Sequence, residues 1–251
     1  MSGSIVVVGM GPGALDQMTP AARAAIETAD AIVGYTTYLK LIADLAPGVP
    51  RARSGMRQEV QRINKAVALA AAGKRVAVIS SGDAGIYGMA GLVHEVVAER
   101  NLALDVEVMP GISALNGAAA LLGAPLMTDF AVISLSDQLT PRADILQRVE
   151  AATKADFILC LYNPKGRKRV EPFALTCAIL EQHRAPDTPV GVVRAAYREK
   201  QHVEITTVAN LRDADVNMVT ILIVGNGRTR IIDGKMVTPR GYGEKYELAE
   251  R

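Results

Sequence analysis

The apolar residues of this chain follow two periods. Short continuous runs, IVVV at residues 5–8, AIV at 31–33 and VAVI at 76–79, are separated by stretches in which alanine and aliphatic residues return every three or four positions. A continuous run predicts a strand buried on both faces of a parallel sheet, and the longer spacing predicts an amphipathic helix. The first half therefore reads as a strand at 5–8 and a helix opened by Thr19 as N-cap and Pro20 in its first turn, ending near Ala29. A strand at 30–34, a helix at 57–72, a strand at 75–80, a helix through 93–98, a strand at 105–111 and a small-residue helix at 113–123 follow. Strand and helix in alternation, with right-handed crossovers, is the α/β pattern.

The second half repeats the theme with less room between strands. FAVISLSD (130–137) and DFILCLYNP (156–164) read as strands, with helices at 143–153 and 173–183. VGVVRAAYR, HVEITTVANL and MVTILIVGNGRTRIIDGKMVTP then read as strands joined by turns too short for crossover helices, so this sheet is expected to be mixed. The domain boundary is expected near residues 120–125, giving an α/β domain at 1–122 with a parallel sheet and a second α/β domain at 123–251 with a mixed sheet. Two such lobes imply a cleft, a favoured place for a ligand.

Composition narrows the classes. The 251 residues suffice for two domains of ordinary size, and 28 Lys and Arg against 26 Asp and Glu give no basic coat for nucleic acid. No apolar stretch reaches membrane length, and the opening run is too short for a signal peptide. The two cysteines, Cys160 and Cys177, lie in an apolar and a helical pattern, which argues against a disulfide framework and for a cytoplasmic location. His183 and His202 lack companions at ligand spacing, so no metal site is expected.

In a sheet of this kind the carboxyl ends of the strands share one edge, where ligands bind. Three expected strand ends carry glycine-bearing loops: GMGPG at 9–13, SSGDAGIYG at 80–88 and MPGISA at 109–114. Glycine lets backbone amides approach a small ligand, because no Cβ intervenes. Gly9, Gly11 and Ala14 match the spacing of a dinucleotide fingerprint. Against that reading, Pro12 interrupts the turn, the capped helix waits until Thr19, and the second strand ends in Val33 and Gly34 with no acidic residue for a ribose. A P-loop pattern is absent from the sequence.

In order, GMGPG, SSGDAGIYGMAG, PGISALNGAAALLGAP, LYNP and the late VGN resemble the tetrapyrrole methylases that use S-adenosylmethionine. VGYTTYLKLI, SGMRQE, SLSDQLTP, LYNPKGRKR and TPRGY are similar to the ring-contracting branch of that family, whose members methylate C17 of precorrin-3B on the way to cobalamin. The resemblance covers roughly residues 4–243. It implies a two-domain fold with the active site in the cleft, S-adenosylmethionine as donor, S-adenosylhomocysteine as product, a tetrapyrrole substrate and a homodimer. Carried over to matching positions, it places Pro12 and its glycine turn beside the donor, Gly82, Asp83, Ala84, Ile86 and Tyr87 along the donor's amino-acid end with Ser113 and Ala114 completing that wall, and Tyr162, Ala195 and Thr220 approaching its nucleoside. Ala84 stands where the wider family often has proline, a departure that agrees with the ring-contracting branch. The corresponding reaction on cobalt-precorrin-3, or another precorrin methylation, is the rival; a carrier without a donor, or an NAD-dependent reductase, belongs to other classes.

A sulfonium methyl is electrophilic by itself, so alignment and exclusion of water are what the protein must add. Ring contraction calls in addition for acid-base help. Asp83, Tyr87 and Asp137 are the candidates, with Tyr35 and Tyr38 also carrying suitable protons; Asp83 reads equally as a cap of its own loop. His94, among apolar neighbours, reads as packed or surface-lying. The acid arms of a tetrapyrrole call for cations, and Arg53, Arg57, Lys165 and Arg167 are the candidates, with KGRKR equally readable as a solvated turn. Tyr35 and Tyr38 would line the macrocycle site or pack the lobes.

Overall fold

The computed structural model describes residues 3–248. The chain divides into two compact units, one ending at Ala114 and the other starting at Leu115.

In the first unit β1 (Ser4–Gly9), β2 (Ala31–Tyr35), β3 (Arg51–Ser54), β4 (Arg75–Ser80) and β5 (Asp105–Met109) form a parallel sheet in the order β3-β2-β4-β1-β5. Its helices are α1 (Pro20–Glu27), α2 (Thr36–Leu41), α3 (Glu59–Ala71) and α4 (Ala90–Glu99). Side chains alternate across the strands. Val6, Val8, Ile32, Ala77 and Ile79 pack with Ala22, Ala25 and Ile26 of α1 and Leu39 of α2. Ile5, Val7, Val33, Val76 and Val78 point the other way, onto Ile63, Ala66, Val67 and Ala70 of α3 and Ala90 and Val93 of α4. This double burial is why the strands read as unbroken apolar runs. Each large aliphatic side chain so enclosed contributes about 1.5–3 kcal/mol. Thr19 caps α1 as expected, its hydroxyl accepting the Ala22 amide at 3.1 Å, with Pro20 in the first turn.

The strand β3 and the helix α2 do not follow from apolar periodicity. RARS contains one apolar residue because β3 is a short edge strand, and edges are kept short and charged. Arg51 also fastens the preceding segment, its guanidinium donating to the carbonyls of Leu39, Ile42, Ala43, Leu45 and Ala46.

The second unit contains α5 (Ala114–Leu122), which starts on the last residue of the first, then β6 (Gly123–Ala124), β7 (Phe130–Ser134), α6 (Arg142–Lys154), β8 (Ile158–Tyr162) and α7 (Glu171–His183). It continues with β9 (Pro189–Arg194), β10 (His202–Thr207), β11 (Thr220–Val224), β12 (Arg230–Ile232), β13 (Lys235–Val237) and α8 (Tyr242–Lys245). The main sheet, β10-β9-β11-β8-β7, is mixed: β7 and β8 are parallel and the other pairs antiparallel. A small sheet joins β12, β13 and β6. Leu159, Leu161, Val190, Val192, Leu222 and Val224 pack on Ile145 and Val149 of α6 and Phe173, Cys177 and Leu180 of α7. At Gly191 of β9 a Cβ would come within 2.2 Å of Leu122 Cδ1, so α5 packs directly on this sheet. The division between units accordingly falls before α5, whereas the boundary expected from sequence falls after it.

Cys160 and Cys177 are buried and free, and burial pushes their thiols up to about 12 and about 11. Among the described residues no helix is long and apolar enough to cross a membrane.

Candidate functional site

The neighbours β1 and β4 send their connections to opposite faces of the first sheet, through α1 and α4. Strand ends whose loops part in this way leave a crevice at the carboxyl edge. Here the floor of that crevice is main chain. The Gly11 amide donates to the Gly82 carbonyl at 3.1 Å and the Gly82 amide returns the bond to Gly11 at 2.8 Å, both residues having left-handed φ of 78° and 68°. A Cβ on Gly111 would lie 2.3 Å from the Gly82 oxygen and 2.4 Å from the Gly9 oxygen, and one on Gly9 would lie 2.7 Å from the Gly111 nitrogen. Gly9 and Gly111 are thus required by the backbone of the neighbouring loops, and Gly11 and Gly82 by their left-handed φ.

Asp83 completes the lock. Its Oδ1 accepts the amides of Gly85 at 2.7 Å and Ile86 at 3.2 Å, and its Oδ2 accepts the amide of Gly111 at 3.0 Å. This is the capping arrangement, in which the carboxylate holds its own loop and ties it to the loop after β5. Ala84 points into the core and offers only backbone to the edge. Pro12 and Ser113 are buried, whereas Ile86 and Tyr87 are exposed, Tyr87 in a left-handed conformation at φ 52°. A non-glycine residue in that region costs about 1–3 kcal/mol and is concentrated at functional sites.

Further along the same edge, Tyr35 ends β2 and Tyr38 lies in α2, their rings meeting edge-on with centroids 5.2 Å apart. Arg53 and Arg57 are exposed at and just beyond the end of β3, Arg57 with a φ of 62°. Arg62, which sequence reasoning passed over, is buried and donates to Ser54 and Gly55 at the end of β3. The signal was present: Arg62 shares the helical stripe of Ile63, Ala66, Val67 and Ala70, where a charge is out of place. His94 lies on the surface of α4.

In the second unit the carboxyl ends of β7, β8 and β9 and the amino ends of β10 and β11 share one edge. Tyr162, Ala195, Thr220, Asp137, Lys165 and Arg167 all fall on or beside that edge. Tyr162 is buried and its hydroxyl accepts the Leu115 amide in the first turn of α5 at 3.1 Å. The buried Thr220 hydroxyl accepts the Asn217 amide at 3.1 Å and closes the turn before β11. Ala195 and Asn163, each just past a strand end, have φ of 49° and 50°. Asp137 accepts Arg142 Nε and Nη2 at 3.0 Å, and Arg142 also pairs with Glu171; these carboxylates raise the guanidinium pKa. Lys165 Nζ stands 5.8 Å from the Phe173 ring centroid, and Arg167 is exposed. Within KGRKR it is Arg169 that is fixed, donating to the carbonyls of Leu135 at 2.5 Å and Asn163 at 2.7 Å and contacting Met218 Sδ at 3.1 Å. Burial lowers its pKa, with Asp137 opposing.

This architecture and these loops coincide with a known family: residues 4–212 match the model of the Tetrapyrrole (Corrin/Porphyrin) Methylases, and the chain belongs to that family. Among its relatives, a protein of Priestia megaterium named "Cobalt-factor III methyltransferase" is 48% identical over 99% of this chain, which spans only 47% of that relative's length. A Salmonella typhimurium protein named "Probable cobalt-factor III C(17)-methyltransferase" is 46% identical, with 94% of this chain and 98% of the relative covered. The solved structure of the methyltransferase CobJ superposes with a TM-score of 0.87 at 36% identity, over 95% of this chain and 100% of that one.

Proposed function

We propose that this chain is an S-adenosylmethionine-dependent methyltransferase that methylates C17 of a precorrin-stage macrocycle with contraction of the ring in cobalamin biosynthesis. The observation that carries the reading is the locked three-loop crevice at the carboxyl edge of the first sheet, in a family member aligned nearly end to end with a relative named for C17 methylation. The cobalt-bearing macrocycle, the rival in the sequence reading, is the substrate favoured here, because the relatives at 48% and 46% identity are named for cobalt-factor III.

The residues of the first edge fit the donor. Backbone carbonyls and a buried serine hydroxyl suit the amino-acid end, and the exposed Ile86 and Tyr87 suit an apolar or aromatic portion. Among the described residues no group of three His, Cys, Asp or Glu side chains is placed to hold a metal ion. When bound, S-adenosylmethionine supplies a methyl group on a sulfonium. The chain's part is to fix loops 9–13, 80–88 and 109–114 before the donor arrives, which lowers the ordering cost of binding. In this reading Asp83 is a tie, Tyr87 an exposed contact, Asp137 the partner of Arg142, and Arg53 and Arg57 the cations offered to acid arms.

A cytoplasmic location and a homodimer belong to the same proposal, on the free thiols and the family resemblance; light scattering behind a sizing column tests the dimer. The activity is tested by mass spectrometry of anaerobic reactions with labelled S-adenosylmethionine and either cobalt-factor III or precorrin-3B. A labelled methyl located at C17 with an extruded acetyl carbon is expected in the cobalt vessel. Label only in the metal-free vessel would reverse the choice of substrate, and label in neither would remove the C17 reading.

A further inference from the structure

Arg62 is 4% exposed, and the groups it contacts directly are uncharged. Its Nε donates to Ser54 Oγ at 2.6 Å, its Nη2 to the Gly55 carbonyl at 3.2 Å, and its Nη1 reaches Met89 Sδ at 3.3 Å. The Cζ stands 5.9 Å from the centroid of the Tyr35 ring. Among the described residues no carboxylate oxygen lies within 4.0 Å of this guanidinium, and Glu59, one turn earlier on α3, is exposed. Burial lowers its pKa, and the more distant Glu59, Tyr38 and Tyr35 oppose that shift.

A buried cation without an anion is costly to desolvate, and here only contacts with uncharged groups offset that cost. Such a charge makes sense where an anion arrives from outside. Two of its five N–H groups are left over from the contacts above. The strand ends it underlies carry the half-buried Tyr35 and Tyr38 and the exposed cations Arg53 and Arg57, a setting that draws in an acid and then shields it from water.

We propose that Arg62 is a buried counter-charge for the substrate: the Tyr35–Tyr38 pair and the Ser54–Gly55 strand end form a subsite for one carboxylate arm of the macrocycle, and that arm completes the charge of Arg62. This rests on the tetrapyrrole reading above and names a group that recognises the acid arms. It differs from a scaffold role in one measurable respect, because removing the charge weakens substrate binding while leaving donor binding near that of the parent.

The test compares the parent protein with Arg62→Met and Arg62→Lys. Cobalt-factor III binding is followed by absorbance under nitrogen, S-adenosylhomocysteine binding by calorimetry, and folding by the thermal midpoint. Arg62→Met is expected to bind cobalt-factor III about tenfold more weakly or worse, with S-adenosylhomocysteine affinity within about twofold of the parent and a midpoint lower by about 5 °C at most, since Ser54 Oγ and the Gly55 carbonyl lose a donor. Arg62→Lys keeps the charge but loses the planar fork, and is expected to bind the macrocycle about threefold or more tightly than the Met variant does. Parent-like binding by the Met variant overturns the proposal, as does a joint fall of midpoint and both affinities, or a Lys variant as weak as the Met one. A parent protein that binds S-adenosylhomocysteine but no tetrapyrrole overturns the substrate reading itself, and the counter-charge with it.

Discussion

The two strand-end edges are stiffened by different means. In the first unit main chain meets main chain: Gly11 and Gly82 exchange amide bonds, Gly9 and Gly111 lie too close for any Cβ, and Asp83 gathers three amides. In the second unit side chains do the spanning, with Arg169 bridging the loops after β7 and β8, Tyr162 capping α5 and Thr220 closing a turn. Geometry made from backbone is independent of rotamers but tolerates no added atom. Geometry made from long side chains can be loosened one contact at a time.

Substitutions can break that contrast. The largest effect is expected from Gly111→Ala, where the new methyl meets two backbone oxygens that cannot swing away. Overpacking of that kind costs about 3 kcal/mol, read as a thermal midpoint lower by about 10 °C, with loss of S-adenosylhomocysteine binding in calorimetry. Gly91→Ala is the matched control: in helix α4, with nothing within 4 Å of its Cβ, it should gain about 0.5–1 kcal/mol in chemical denaturation. Arg169→Met should cost about 2 kcal/mol by releasing two carbonyls from a charged donor, and hydrogen exchange should rise in residues 134–137 and 163–166. Tyr162→Phe should cost about 1 kcal/mol by stranding the Leu115 amide, visible as faster exchange in the first turn of α5. Thr220→Val, nearly isosteric, should cost about as much or slightly less, with the change confined to the turn at 217–220. If Gly111→Ala proved as mild as Thr220→Val, the distinction between the edges would collapse.

Much of this was legible in the chain. The apolar runs at 5–8 and 76–79 announce strands covered on both faces, and Thr19 with Pro20 marks the start of α1 because capping is a local matter. The loop SSGDAGIYG could be placed at the carboxyl edge for the same reason. What sequence could not show is that Gly9 and Gly111 are required by each other and by the Gly82 carbonyl, since those contacts join loops far apart in sequence and a glycine looks the same whether it makes room for a ligand or for another loop. RARS was invisible as a strand because an edge strand need not be apolar. Arg62 was missed for the opposite reason: its position on the stripe of α3 was readable, but a basic residue in a helix is ordinarily assigned to solvent. The unit boundary shifted because α5 is fixed by what it packs on, Gly191 through Leu122, and not by its own composition.

The central claim is that Asp83 holds the loops of the first unit and takes no proton in the reaction, and Asp83→Asn tests it most directly. The amide keeps an acceptor for Gly85 and Ile86 but turns a donor toward the Gly111 amide, trading a charge-assisted bond for a clash of donors at a cost of about 1.5–3 kcal/mol. Donor affinity by calorimetry and methyl transfer at saturating donor should be measured together on this variant. The account predicts S-adenosylhomocysteine binding weakened about tenfold or more with the saturated rate within about tenfold of the parent. Unchanged donor affinity with a saturated rate lowered about a hundredfold or more would contradict it and make Asp83 the acid or base.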